Sequence, residues 1–389
     1  MQRIEAISSG VAKTKKNTYW QGLLCLFWIL LIFGVMANEM GLAPMMKTMM
    51  ATAHDLLLNT CFFLMAVCVL TGALGRILVE FSVVDMLQKI LHPIMRPIFN
   101  LPGVASLGAV MTFMSDNPAI ITLTKNKGFS QYFKKYQYIS LTNFGTSFGM
   151  GLLVIIYMIS LGYTIEPLIG FVSAIVGCIV STRCMQYFIL RSYPNFKEES
   201  VVDEVYDEIK ITEEEGKNKE NSLFSRILNA VLDGGKNGVE VGVAIIPGVL
   251  VISTVVMMLT FGAGPEGYDG SAYQGVELLP YLFGRINVVF EWLFGFNDPH
   301  LLGFPITALG AVGAALGLLP KFMAEGWVDG NAICVFTAIG MCWSGYLSTH
   351  TAMLDSLGCR NLTSKAILSH TIGGLVAAIV AHLLAMVIL

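Results

Sequence analysis

Six apolar runs govern what this chain can become: residues 19–35, 56–74, 138–161, 167–190, 241–261 and 366–389. Each approaches or exceeds the about 20 residues that carry an α-helix across a hydrocarbon core about 30 Å thick. One such run is compatible with a buried core helix. Six are not, in a chain with 55% hydrophobic and 13% charged residues. The bilayer is therefore the solvent, and the expected fold class is an all-α integral membrane protein. Walker-A and H-E-x-x-H sequences are missing, and the six histidines are scattered. A non-enzyme without nucleic-acid partners follows, and any transport would run on gradients or on a partner's energy.

The first run follows Arg3, Lys13, Lys15 and Lys16 without a small-residue cleavage pattern, so it reads as a retained span. The eight cysteines show no C-x-x-C spacing and sit mostly inside apolar runs, as small buried hydrophobes would. Ten acidic residues and four lysines crowd the segment from Asn195 to Glu220. This solvated tether, with an amphipathic helix expected at 201–211, divides the chain. The expected parts are an N-terminal segment with the first span (1–56), a first repeat (57–190), a charged cytoplasmic loop (191–222) and a second repeat (223–389).

Each half reads as a long span, a shorter amphipathic stretch, a Pro/Gly-interrupted segment and two further spans. The first half places them at 57–80, 81–99, 101–127, 137–161 and 164–190. The second places them at 241–262, 281–296, 298–324, 330–350 and 361–388. Leu107-Gly108-Ala109-Val110 also recurs as Leu309-Gly310-Ala311-Val312. Lys and Arg in short loops mark the cytoplasmic side, which puts Lys89, Arg96, Lys125, Lys127, Lys134, Lys135, Arg191, Arg360 and Lys365 inside. That count requires 101–127 and 298–324 to be re-entrant hairpins from opposite faces, and it leaves Lys321 outside against the rule. The halves are then inverted-topology repeats with broken transmembrane helices, whose solute site is expected at the repeat interface near the midplane.

Irregular backbone survives at membrane depth only beside protein or a water-filled cavity. Four stretches have the composition for it. Ser115-Asp116-Asn117-Pro118 offers three potential caps before a first-turn proline, the pattern of a hairpin tip. Thr142 to Gly149 mixes hydroxyls with glycines, which serves helix packing equally well. Gly303-Phe304-Pro305-Ile306-Thr307 is the second-half counterpart of the tip, and Trp343 to Thr351 is an unusually polar end to a span. Asp233, Lys236 and Glu240 are assigned to the solvated face of an interfacial helix preceding span 241–262. The candidate solute contacts are Ser115, Asp116, Asn117, Asn143, Thr146, Ser147, Thr307, Ser348, Thr349 and His350, with His350 readable as a proton relay, a solute ligand or a merely hydrogen-bonded core residue. No metal site is assigned.

The run from Leu101-Pro102-Gly103 to Ser115-Asp116-Asn117-Pro118-Ala119-Ile120 resembles the Gate, or nucleoside-recognition, domain of spore-maturation proteins, YjiH-like membrane proteins and the permease part of FeoB-type iron transporters. Residues 227–238 and the span after them resemble the amphipathic helix and span of concentrative nucleoside transporters. The resemblance implies two inverted repeats with paired hairpins and cation-coupled, elevator-like movement of a small solute. Ser115 stands where iron permeases carry a cysteine, and the carboxylate-rich motifs of nucleoside carriers are not evident. The expected function is a multi-pass permease of the inner (cytoplasmic) membrane for a small polar, nucleoside-like solute. Na⁺ or H⁺ is the candidate coupling ion, no other cofactor is assigned, and a homo-oligomer or a paired membrane subunit is the expected assembly. A non-transporting subunit of a spore-maturation or stress-type complex and a divalent-metal permease stay open as alternatives.

Overall fold

The computed structural model describes residues 2–117, 119–125, 127–201 and 222–389, with side chains described from residue 19 onward apart from those at 127 and 348. The described residues form helices joined by turns, with isolated β-bridges at Lys134–Ser200 and Gly264–Gly267. The elements are α1 (Tyr19–Met40), α2 (Leu42–Glu80), α3 (Val83–Ile94), α4 (Ala105–Met114), α5 (Ala119–Thr124), α6 (Lys135–Thr146), α7 (Gly151–Ser160) and α8 (Glu166–Ser192), followed after the tether by α9 (Leu223–Thr260), α10 (Leu278–Gly284), α11 (Asn287–Phe294), α12 (Gly303–Gly310), α13 (Val312–Ala324), α14 (Gly330–Cys342), α15 (Tyr346–Ser356) and α16 (Thr363–Ile388). Six stretches are helical, apolar and long enough to cross a bilayer, so the chain is a multi-pass membrane protein. From residue 202 onward the helix expected at 201–211 lies outside the described residues.

Lipid tails are as apolar as leucine, so helices in a membrane associate through close packing, which small residues permit. Gly234, Gly238 and Gly242, four residues apart, give α9 one bare face. A Cβ at Gly234 would strike the Gly72 carbonyl, one at Gly238 the Cys68 carbonyl, and one at Gly242 would lie 2.6 Å from the Met65 side chain. Numbers climb along α9 as they fall along α2, so the two run antiparallel. A second seam joins α8 to α16: a Cβ at Gly177 would lie 2.7 Å from Ala377 Cβ, and one at Gly373 would lie 2.6 Å from Ser181 Cβ. This pair is antiparallel too. In both seams a helix of the first half meets the helix of the same rank in the second.

The separate interfacial helix expected before span 241–262 does not exist. Leu223–Thr260 is one helix, because its glycine face stays on α2 along most of its length. Asp233 and Lys236 lie on its far side, exposed and 3.7 Å apart.

Charges gather at the two ends of the bundle. At one end Lys135 pairs with Glu199 at 2.7 Å, Arg226 with Glu80 at 2.8 Å, and Asn361 donates to the Tyr193 hydroxyl at 2.7 Å. Lys125 belongs to this end, since Tyr138 donates to the neighbouring Thr124 carbonyl at 3.1 Å. At the other end the 262–277 loop caps α2, with Tyr273 N donating to Thr52 Oγ1 at 2.9 Å and its hydroxyl to Asp55. Burial, and then the Asp55 carboxylate, push the Tyr273 phenol above its ordinary pKa. Lys321 sits here, 5.5 Å from the Tyr273 ring centroid and paired with Glu325. Lys125 and Lys321 thus occupy opposite ends.

Two helical hairpins enter between these ends. The α4–α5 hairpin is rooted at the Lys135 end, where Gln137 donates to the Asn100 carbonyl at 2.7 Å. The α12–α13 hairpin is rooted at the Lys321 end, where Trp327 stacks on Phe261 with centroids 5.2 Å apart. The 10 residues of α4 rise about 15 Å, half of a hydrocarbon core. The break expected at Gly303–Thr307 is absent: that stretch is helical, with Pro305 in the first turn where a missing N–H removes no bond. The second tip falls at Gly310-Ala311 instead, where Ala311 is extended at φ −163°. The repeated Leu-Gly-Ala-Val tetrapeptide therefore does not mark equivalent positions. Its first copy lies inside α4 and its second makes the turn of the other hairpin.

Candidate functional site

Both polar spans break near their middles. The rod Lys135–Ser160 is interrupted between α6 and α7, and a similar interruption at Trp343-Ser344-Gly345 separates α14 from α15. Each break ends on a left-handed residue, Met150 at φ 57° and Gly345 at φ 68°. For glycine that conformation is free, whereas a side chain costs about 1–2 kcal/mol there, so Met150 holds strain that its burial must offset. The break expected over Trp343 to Thr351 is shorter than the polar stretch, because Tyr346 onward resumes the helix.

The two hairpin tips meet at the second break. Asn117, wholly buried, donates through Nδ2 to the Ser344 carbonyl at 2.6 Å. The next amide, Gly345 N, donates to the Ala308 carbonyl of the opposite hairpin at 3.2 Å. A Cβ on Gly345 would lie 3.1 Å from the Gly310 carbonyl at the second tip. The first break closes on the same asparagine: Asn117 Oδ1 occupies the place where residue 149 would carry its Cβ, so only glycine fits. Asn117 thereby ties one tip to both broken spans. The α5 arm is seated likewise, since a Cβ on Gly145 would lie 2.9 Å from Ile120 Cβ.

Buried polar groups are normally paired. Here Asn117 Oδ1, Trp343 Nε1 and His350 Nε2 are buried without a partner. Asn117 and Trp343 belong to the crossing, and His350 follows on α15. Trp343 Nε1 is packed against α16, 2.0 Å from where a Cβ on Gly374 would stand, and Asn117 Oδ1 against Gly149.

The candidate residues fall into three groups. At the first tip, Ser115 is exposed and donates to Met111 O at 2.6 Å, Asp116 accepts from Asn117 N at 2.7 Å, and Asn117 makes the junction. A second group sits deeper. Asn143 Nδ2 donates to Ser181 Oγ at 3.1 Å and to Ala366 O at 3.0 Å, and Ser181 meets His370 Nδ1 at 2.8 Å. The His370 ring lies 4.7 Å from that of His350, centroid to centroid. The third group is turned inward onto its own helices: Thr146 donates to Thr142 O at 2.8 Å, Ser147 to Asn143 O at 3.0 Å, Thr307 to Gly303 O at 2.7 Å and Thr349 to Gly345 O at 3.1 Å. The Ser348 side chain lies outside the described residues.

His370, Ser181, Gly149, Ser344 and Gly345 were not among the expected contacts. Gly149, Ser344 and Gly345 lay within stretches marked as breaks, but nothing there said that backbone would do the binding. Histidines 20 positions apart on consecutive helices carry no signal of contact. Among the described residues no group of three or more His, Cys, Asp or Glu converges as a metal ligand set.

Residues 61–164, which contain the first hairpin and the first broken span, match the Gate family, described as nucleoside recognition. An uncharacterised protein of Alkalihalophilus pseudofirmus (strain OF4) is 32% identical over 115 residues, 29% of this chain; the match spans about a quarter, 25%, of that relative's length. Two outward-facing structures of substituted CNTnw align at 12% identity. The first covers 84% of this chain and 76% of CNTnw at a TM-score of 0.48, and the second 86% and 80% at 0.46. The chain thus carries, over residues 61–164, a segment that matches the nucleoside-recognition Gate family.

Proposed function

We propose that this protein is a cation-coupled permease of the cytoplasmic membrane for a small polar, nucleoside-like solute, bound where the hairpin tips cross the broken spans. The carrying observation is that both tips engage Ser344-Gly345 while Asn117 Oδ1 and, on the helix that follows, His350 Nε2 stay unpaired. Such atoms cost about 1–3 kcal/mol each when left unmet, and a solute with both donors and acceptors would recover that. A nucleoside has both, and the Trp343 and Tyr346 rings give its base an apolar surface. The two antiparallel seams and the oppositely rooted hairpins support reading the halves as inverted repeats, which places the crossing near the midplane. Alternating access then consists of breaking the Asn117–Ser344 bond on one side of the solute while the Gly345–Ala308 bond holds on the other.

The test is uptake of radiolabelled uridine, adenosine and cytidine into proteoliposomes holding the purified chain, under imposed Na⁺ and pH gradients. Saturable uptake is expected, together with its loss in Asp116→Ala with folding retained. Asp116 braces the Asn117 amide, so unchanged uptake in that variant removes it from the site. Silence toward every nucleoside under either gradient overturns the carrier assignment in favour of a non-transporting subunit.

A further inference from the structure

Two histidines far apart in sequence share one buried space. His350 on α15 and His370 on α16 are both fully buried, and Tyr346 completes the group at 5.9 Å and 5.1 Å from their centroids. Hydrogen-bond direction fixes their tautomers. A carbonyl only accepts, so His370 donates from Nε2 to Cys342 O and accepts at Nδ1 from the Ser181 hydroxyl, which itself accepts from Asn143. His370 is satisfied as a neutral ring. His350 likewise donates from Nδ1 to Tyr346 O at 3.1 Å, which leaves Nε2 a bare acceptor with nothing to accept from.

Among the described residues no carboxylate is paired with either ring. On α15 itself Asp355 faces Arg360, at 3.8 Å. On α6, Lys135 pairs with Glu199 at 2.7 Å, Tyr138 is bonded to Thr124 O, and Tyr136 accepts from Asn100 at 3.1 Å. On α16, Lys365 reaches Ser192 and His382 meets Asn331 at 2.8 Å. The α12 helix carries no titratable side chain. Among the described residues, the titratable rings against His350 are those of Tyr346, whose hydroxyl is bonded to Thr371 at 2.7 Å, and His370.

We propose that the His350–His370 pair is the site of the coupling ion and that this ion is a proton. Two imidazoles in contact without a carboxylate hold one positive charge and not two. The proton enters at His350 Nε2, the open position, and turns it from acceptor to donor. The new N–H then needs an acceptor, which an oxygen of the bound solute supplies. The empty pair crosses neutral, and the loaded pair crosses with one proton and one solute. A proton alone would bury an unmet N–H, and a solute oxygen alone would face the lone pair of Nε2. Each ligand therefore raises the affinity for the other, which is what coupling requires. This inference rests on the permease reading above for its solute, but not for its proton.

The experiment has two arms. Full-length protein with ¹⁵N-labelled imidazoles in lipid nanodiscs is titrated by solid-state NMR, with His350→Gln and His370→Gln assigning the resonances. One proton taken up per pair is expected, with each substitution moving the other ring's midpoint by about one pH unit. In the second arm, proteoliposomes enclosing a pH dye receive uridine, adenosine or cytidine in Na⁺-free buffer. An inward proton flux with uptake is expected, and its loss in His350→Gln with the size-exclusion profile kept. Rings that titrate independently or not at all, or uptake driven by Na⁺ and indifferent to pH, overturn the proposal while the carrier reading stands. A coupled titration with no nucleoside uptake overturns the carrier reading and with it the coupling role, leaving a proton-binding pair.

Discussion

The two hairpin tips do one job with opposite means. The first, at Ser115 to Asn117, reaches the crossing with a side chain: Asn117 spans from its own turn to the Ser344 carbonyl and fills the space that Gly149 leaves. The second, at Gly310-Ala311, has no polar side chain and meets the same break with carbonyls, those of Ala308 and Gly310. A side chain can change rotamer in place, whereas a backbone carbonyl moves only with its helix. On the permease reading proposed above, the first tip is the one that releases and the second the one that moves with its helix.

Gly149→Ala tests the first tip most severely. Its methyl group must displace Asn117, so about 3 kcal/mol of overpacking is expected, read as a thermal-unfolding shift of the full chain in detergent together with lost uptake. Adding Asn117→Ala empties the contested space and should recover most of that loss; a simply additive double variant would break the link between tip and span. Asn117→Ala alone strips the buried Ser344 carbonyl of its donor, for about 1–3 kcal/mol. The second tip should tolerate more. Gly345→Ala forces a side chain to φ 68° and toward the Gly310 carbonyl, which is expected to cost about 1–2 kcal/mol. If Gly345→Ala proves costlier than Asn117→Ala, the assignment of the releasing tip is reversed. Thr307→Val should matter least, within about 0.5 kcal/mol and without effect on uptake, because its hydroxyl bonds only its own turn. Lost uptake there would return Thr307 to the site.

The same contrast explains what could be read from residues alone. The first tip was legible because Ser, Asp, Asn and Pro in succession have a local reason to end one helix and start another. The second is not, because the break that Gly303 to Thr307 suggests rests on Pro305, and proline is a strong breaker inside a helix but a harmless one in its first turn. The order of spans and hairpins followed from apolar length and charge placement, which act locally. The tetrapeptide repeat misled because Leu-Gly-Ala-Val is compatible with both a helix interior and a turn. The hydroxyls of Thr146, Ser147, Thr307 and Thr349 looked like ligands, yet in an apolar surrounding the nearest acceptor is the carbonyl one turn back. His370 and Ser181 were invisible because their role comes from two helices lying side by side.

The glycine seams have a consequence for how such a protein ages under mutation. Where backbone rests on backbone, every possible replacement adds atoms, so drift at positions 72, 177, 234, 238 or 373 has only one direction, and it is outward. Elsewhere a substitution can be larger or smaller than what it replaces. At these seams it cannot, and relatives should therefore keep glycine there while the lipid-facing sides of the same helices change.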